Sequence, residues 1–165
     1  MQIQLSQGDR TVTFLQLKAY LARLFVNETC TMPFDRITEC TTSVSIEPSR
    51  QTSMKHLKDG LVNGLTRQSH IEPFDKTAME EFKKLFPIGL LDKNEKIVFT
   101  KNKDQLCLNV KDKECGCVAN EWLATAFMNL YFSKRHSVVP LAQQAAEVKY
   151  NEFFKSQFRQ GYSMK

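Results

Sequence analysis

Few residues in this chain are of the kinds that do chemistry, and each has a plainer role to be weighed against. Arg10 stands directly behind Gly8 and Asp9. A guanidinium held at the start of an extended segment suits an oxyanion or a carboxylate, which its planar fork can grip with two donors. The plainer reading is a surface arginine paired to Asp9 or Glu28. His56 lies between Lys55 and Leu57 on a basic helical stretch, where a lone imidazole reads as a flank residue before it reads as a ligand. His70 and His136 fall in polar connecting segments. Cys115-Gly116-Cys117 has a spacing that admits metal or redox chemistry, but no second cysteine pair or paired histidines complete a zinc site. Gly116 there reads as a turn or bulge between strand thiols. Trp122, Phe127 and Tyr131 repeat at helical spacing and read as core.

These side chains need elements to hold them. Residues 95–118 carry short apolar runs of strand character, Ile97-Val98-Phe99, then Leu106, Leu108 and Val110, then Cys117-Val118, separated by polar turns; this is a three-strand meander. From Asn120 the period becomes helical, with Leu123, Ala126, Phe127, Leu130 and Tyr131 on one face. Asn120 is placed to cap that helix. Upstream, residues 1–5 alternate and residues 6–9 read as a turn. Residues 10–26 read as one or two strands, although LKAYLARLF alone has a helical spacing. Residues 27–40 read as a loop with little structure of its own, and residues 41–47 as a strand ended by Pro48.

Thr52 or Ser53 then caps a helix with Met54, Leu57, Leu61 and Leu65 inward. Asp75 caps a second, with Met79, Phe82, Leu85 and Phe86 inward, stopped by Pro87 and Gly89. Pro140 opens the last helix, with Leu141, Ala145 and Val148 on its buried side. Meandering strands pair antiparallel, and segregated helices must cover one face of their sheet, so the class is α+β.

Composition excludes several functions. The +5 charge is a scatter of 23 basic residues among 18 acidic ones, without a nucleic-acid-binding signature, so nucleic acid is not expected as a partner. No run of 18 apolar residues occurs, so no membrane span is expected. The five cysteines are odd in number and irregular in spacing, which argues against a disulfide framework and for a reducing, intracellular compartment. No phosphate loop, nucleophile elbow or zinc-protease motif is present.

The run LFPIGLLDKNEKIVFTKNKDQLCLNVKDKECGCVANEWLATAFMNLYF, followed by SVVPLAQQA, resembles the C-terminal half of the chalcone isomerase fold. Its parts are the FP-x-G opening, a strand pair, a G-x-V strand, an L-x-x-A-F-x-x-x-Y helix and, where the family has a V-S-P start to the last helix, Val138-Val139-Pro140. EPSRQTSMKHLKDGLVNGL is similar to a segment of the fungal mitochondrial branch, the proteins of altered mitochondrial inheritance. RTVTFLQLKAYLARLFV resembles the strand pair whose leading arginine belongs to the family's active site.

The resemblance implies an open-faced sandwich, an antiparallel sheet under one layer of helices, as a single domain over residues 1–165 shortened between residues 27 and 41. That short loop implies a cleft more open than the relatives', or an incomplete one. By position Arg10 matches the family's catalytic arginine, which stabilises a phenolate and an enolate during ring closure of a chalcone. The rest of that network departs. Leu21 stands where the enzymes have Thr, Ser53 and Gly60 where they have Tyr and Asn, and Asn129 where Ser or Thr is expected. Each missing oxyanion donor costs roughly 3 kcal/mol in a transition state, which argues against turnover.

The expectation is therefore a non-catalytic binder of a hydrophobic anion, a fatty acid or haem. Its cleft involves Arg10, Tyr20, Leu21, Ser53, His56 and Asn129, with His56 as the candidate axial ligand of haem and no other metal. The rival is a chalcone isomerase-type intramolecular lyase using Arg10. By the same resemblance the protein is expected in mitochondria.

Overall fold

From Tyr20 to Val26 every second residue, Tyr20, Ala22, Leu24 and Val26, is buried, while Leu21, Arg23 and Phe25 between them are only half-buried. That period of two is a strand with one face on a core, and it settles the ambiguous LKAYLARLF stretch as β2 (Leu17–Asn27) rather than helix. The computed structural model describes residues 1–12, 17–68, 75–135 and 137–163. β2 pairs antiparallel with β1 (Gln2–Val12) and with β3 (Thr42–Pro48). The expected meander follows as β6 (Ile97–Asn102), β7 (Gln105–Val110) and β8 (Lys113–Ala119). Together they form one six-stranded antiparallel sheet in the order β1-β2-β3-β6-β7-β8.

Between β3 and β6 the chain leaves the sheet. It makes a two-residue ladder of β4 (Thr52–Ser53) with β5 (Leu90–Leu91) and places α1 (Met54–Gln68) and α2 (Lys76–Lys84) over the inner face. The expected inward residues Met54, Leu57, Leu61 and Leu65 of α1 are buried, as are Met79 and Phe82 of α2; Leu85 and Phe86 follow that helix half-buried. α3 (Glu121–Phe132) is buried on most of its circumference, because it lies between the sheet and neighbouring helices.

The two capping residues expected from sequence also hold each other. Asp75 Oδ1 accepts from Ala78 N, Asn120 Oδ1 accepts from Leu123 N, and Asn120 Nδ2 donates to Asp75 Oδ2 at 2.9 Å. The starts of α2 and α3 are thus tied together, and the hydrogen bonds hold the Asp75 carboxyl below its ordinary pKa.

Four expectations are corrected. Residues 6–9 are not a turn, since β1 runs straight through them. Gly8 serves close approach instead: a Cβ there would lie 2.9 Å from Ala142 Cβ on α4 (Pro140–Ser163). The buried side of α4 is Ala142, Gln143, Ala146 and Tyr150, whereas the expected Leu141, Ala145 and Val148 are all exposed, Leu141 and Val148 at 79% and 59%. A helix seated this tightly on β1 needs small residues at the contact, so the larger aliphatics face outward. Residues 27–40 are more than a loop, for Phe34–Glu39 form a 3₁₀ segment that buries Phe34 and Ile37. The Tyr150 hydroxyl donates to Met32 O in that segment's approach.

Finally, the odd cysteine count misled. Cys30–Cys40 and Cys107–Cys117 are disulfides and only Cys115 is free, which removes the sequence argument for a reducing compartment. Among the described residues no helix is long and apolar enough to cross a membrane.

Candidate functional site

Antiparallel partners share a face. β1 and β2 register Arg10 against Tyr20, so the guanidinium and the phenol both belong to the helix-covered side. Tyr20 is buried there, and its hydroxyl lies 3.0 Å from that of Tyr131, a fully buried residue of α3. Arg10 is half-buried, and its Nη1 donates to Val138 O at a long 3.5 Å. The connection from α3 to α4 is stiffened around that carbonyl. Val138 N donates to Leu130 O, Ser137 Oγ donates to Tyr131 O, and Val139 N donates to Ser137 Oγ.

The result is one cation beside two neutral hydroxyls at one end of the sheet. Burial raises the pKa of both phenols, that of Tyr131 strongly, and the Arg10 charge offsets only part of this. Both are donors and neither is a base near neutral pH. Their mutual bond uses one of two hydroxyl protons, leaving the other for an acceptor. A carboxylate meets that requirement: one oxygen takes the guanidinium and the other takes a phenol proton. Behind Tyr131 the layer is apolar, with Phe127 at 5.7 Å between ring centroids and Phe99 at 4.2 Å from Phe127.

Of the residues singled out from sequence, the structure brings together Arg10 and Tyr20. Leu21 registers with Asp9 and Glu47 and points to the opposite face of the sheet. Ser53 accepts from His56 N, so its hydroxyl serves as the N-cap of α1. His56 is exposed, the reverse of what an axial haem ligand inside an apolar cleft requires. His70 and His136 lie outside the described residues. Asn129 is half-buried on α3, but two residues along a helix is a rotation of about 200°, which turns it away from Tyr131. Tyr131 was read as core and belongs to the cluster. The signal was available, because a tyrosine on a buried helix face must find a partner for its hydroxyl.

A second cation lies at the far end of the same inner face. Lys101 registers against Thr42 and is 4% exposed. Burial lowers its pKa, while the charges of Glu121, Asp104 and Glu39 work to raise it. Thr42 Oγ1 is buried without a hydrogen-bond partner among the described residues.

An antiparallel sheet roofed on one face by helices, with a guanidinium and paired phenols at the end of its first strands, defines an open-faced α+β sandwich. The profile of the chalcone isomerase-like family matches residues 34–146, and the chain belongs to that family. Arg10 and Tyr20 precede the matched region; Tyr131 and Val138 fall inside it. A fatty-acid binding protein of Arabidopsis thaliana has the same fold, with a TM-score of 0.72, 14% sequence identity and 90% of each chain covered. An uncharacterized protein of Schizosaccharomyces pombe is 31% identical over 81 residues. That match takes in 48% of this chain and 31% of the length of the relative.

Proposed function

We propose that this protein binds a long-chain fatty acid or a similar apolar anion without turning it over, its carboxylate held by Arg10 and the Tyr20–Tyr131 pair. The observation that carries the reading is the guanidinium set beside a buried, neutral hydroxyl pair on the helix-covered face. The Arabidopsis protein of the same fold supports the ligand class by its name. Ring closure of a chalcone needs further donors aligned on the developing oxyanion. Here Leu21 is on the wrong face, the Ser53 hydroxyl is a helix cap and Gly60 has no side chain to offer. Haem fits less well than a fatty acid, because His56 faces solvent.

The test is a calorimetric titration of the purified chain with a long-chain fatty acid and with the alcohol of equal length, beside a panel of chalcones followed for cyclisation. Saturable binding of the acid, weaker binding of the alcohol and no acceleration of cyclisation are expected. An acid that fails to bind overturns the reading, and so does Arg10-dependent cyclisation. Residence in mitochondria is part of the proposal, on the strength of the resemblance to the fungal branch. A fluorescent fusion that localises elsewhere removes that part alone.

A further inference from the structure

The other face of the sheet carries a second chemical constellation. Cys107 and Cys117 are directly opposed on β7 and β8, on the face away from the helices, and both are half-buried. Glu114 is three residues before Cys117, and in an uninterrupted strand an odd spacing would send it to the opposite side. The register slips between Leu108 and Asn109, leaving Cys115 as an extra residue, and Gly116 adopts φ +142° beside it. The bulge re-aims Glu114 onto the cysteine face. Its Oε1 lies 3.4 Å from Cys117 Sγ, and the ligand atoms of Cys107, Glu114 and Cys117 lie within 4.8 Å of one another. A carboxylate against a disulfide sulfur gains no hydrogen bond, since no S–H is present. Against a thiol or a metal thiolate it has a role.

We propose that Cys107, Cys117 and Glu114, in the dithiol form, bind a thiophilic divalent cation of the zinc class. An external dithiol supplies two electrons and two protons, is itself oxidised to a disulfide, and opens the Cys107–Cys117 bond to two thiols. The cation then displaces both thiol protons to solvent and takes the two thiolates and the carboxylate, with water in the fourth position. At zinc–sulfur and zinc–oxygen bonds of about 2.3 and 2.0 Å, tetrahedral sulfurs stand about 3.8 Å apart and sulfur to oxygen about 3.5 Å. The Cys117 to Glu114 edge already has nearly that length, so binding requires that the two sulfurs separate and that Cys107 and Glu114, within 4.8 Å of each other, settle to the same sulfur-to-oxygen spacing. Cys115 is outside the cluster, its Sγ against Lys113 O at 3.8 Å.

Cobalt(II) is the probe. The reduced chain should take up one cobalt and show a thiolate-to-cobalt charge-transfer band that zinc(II) bleaches, whereas the oxidised chain shows none. Cys107→Ser and Cys117→Ser should lose the band, Glu114→Gln should weaken cobalt binding, and Cys115→Ser should leave it unchanged. The comparison of reduced with oxidised wild type needs no variant to fold. No band in the reduced wild type, a band that survives Cys107→Ser, or binding unaffected by Glu114→Gln overturns the proposal.

Discussion

Arg10 and Lys101 are both basic residues on the inner face of one sheet, at opposite ends of it, and their surroundings differ in kind. Lys101 is buried and answered by the charges of three carboxylates, Glu121 of α3, Asp104 in the turn between β6 and β7, and Glu39 of the 3₁₀ segment. Arg10 is half-buried, donates to the Val138 carbonyl and lies close enough to the Tyr20 and Tyr131 phenols for its charge to act on both. A cation ringed by the protein's own anions is a structural feature. On the proposed reading, the end that holds Arg10 and the phenol pair is the one that receives the carboxylate of the ligand.

The largest effect that separates the two ends is on binding. Arg10→Ala should weaken fatty-acid affinity by about 1.5–3 kcal/mol, roughly ten- to a hundredfold, while Lys101→Met leaves it unchanged. Equal losses in the two variants by calorimetry would erase the distinction. Next, Gly8→Val should cost about 1–3 kcal/mol of stability by denaturant titration, because its side chain meets Ala142 where α4 seats on β1. It should also lower fatty-acid affinity, since α4 begins at the connection that positions Val138. A destabilised Gly8→Val that binds normally would uncouple α4 from the site. Tyr131→Phe should cost about 1 kcal/mol of stability by stranding the Tyr20 hydroxyl. Differential calorimetry on the variant reads this directly.

The smallest effect lies in the alkaline range, where the two ends carry opposite signs. The raised phenol pKa values mean that folded Tyr20 and Tyr131 hold protons which the unfolded chain releases above the usual tyrosine value of 10.0. Their contribution is complete below that pH and is lost as pH rises through the folded values. The lowered Lys101 pKa acts the other way: the unfolded chain binds its proton more tightly, so stability from this group rises as pH climbs towards the usual 10.5. Denaturant midpoints between neutral and strongly alkaline pH should therefore fall less steeply in a Tyr20→Phe, Tyr131→Phe double variant and more steeply in Lys101→Met. Parallel curves would remove the contrast.

Much of the scaffold could be read along the chain. The meander of β6 to β8, the caps Asn120 and Asp75 and the inward stripe of α1 all stand where periodicity and capping chemistry put them, since those signals act over a few residues. The last helix shows the limit of such reading. Its aliphatic spacing pointed to Leu141 and Val148, yet contact with β1 at Gly8 selects Ala142 and Ala146, and only the docked helix reveals that preference. The same holds for the candidate site. Arg10 was visible as a cation near the start of the chain, but Tyr131 joined it only because α3 crosses the sheet above Tyr20.

Local features were legible from residue order: the meander, the starts of α2 and α3, and the apolar face of α1, because backbone geometry and capping depend on near neighbours. The unbroken course of β1 through residues 6–9 was not. Tertiary structure alone decided which distant groups meet. It joined Cys30 to Cys40 and Cys107 to Cys117, and it brought the Tyr20 and Tyr131 hydroxyls together. It also turned Glu114 to the cysteine face through a single extra residue in β8. Register and helix docking are properties of paired elements, and a one-residue slip in either exchanges the faces on which chemistry can occur.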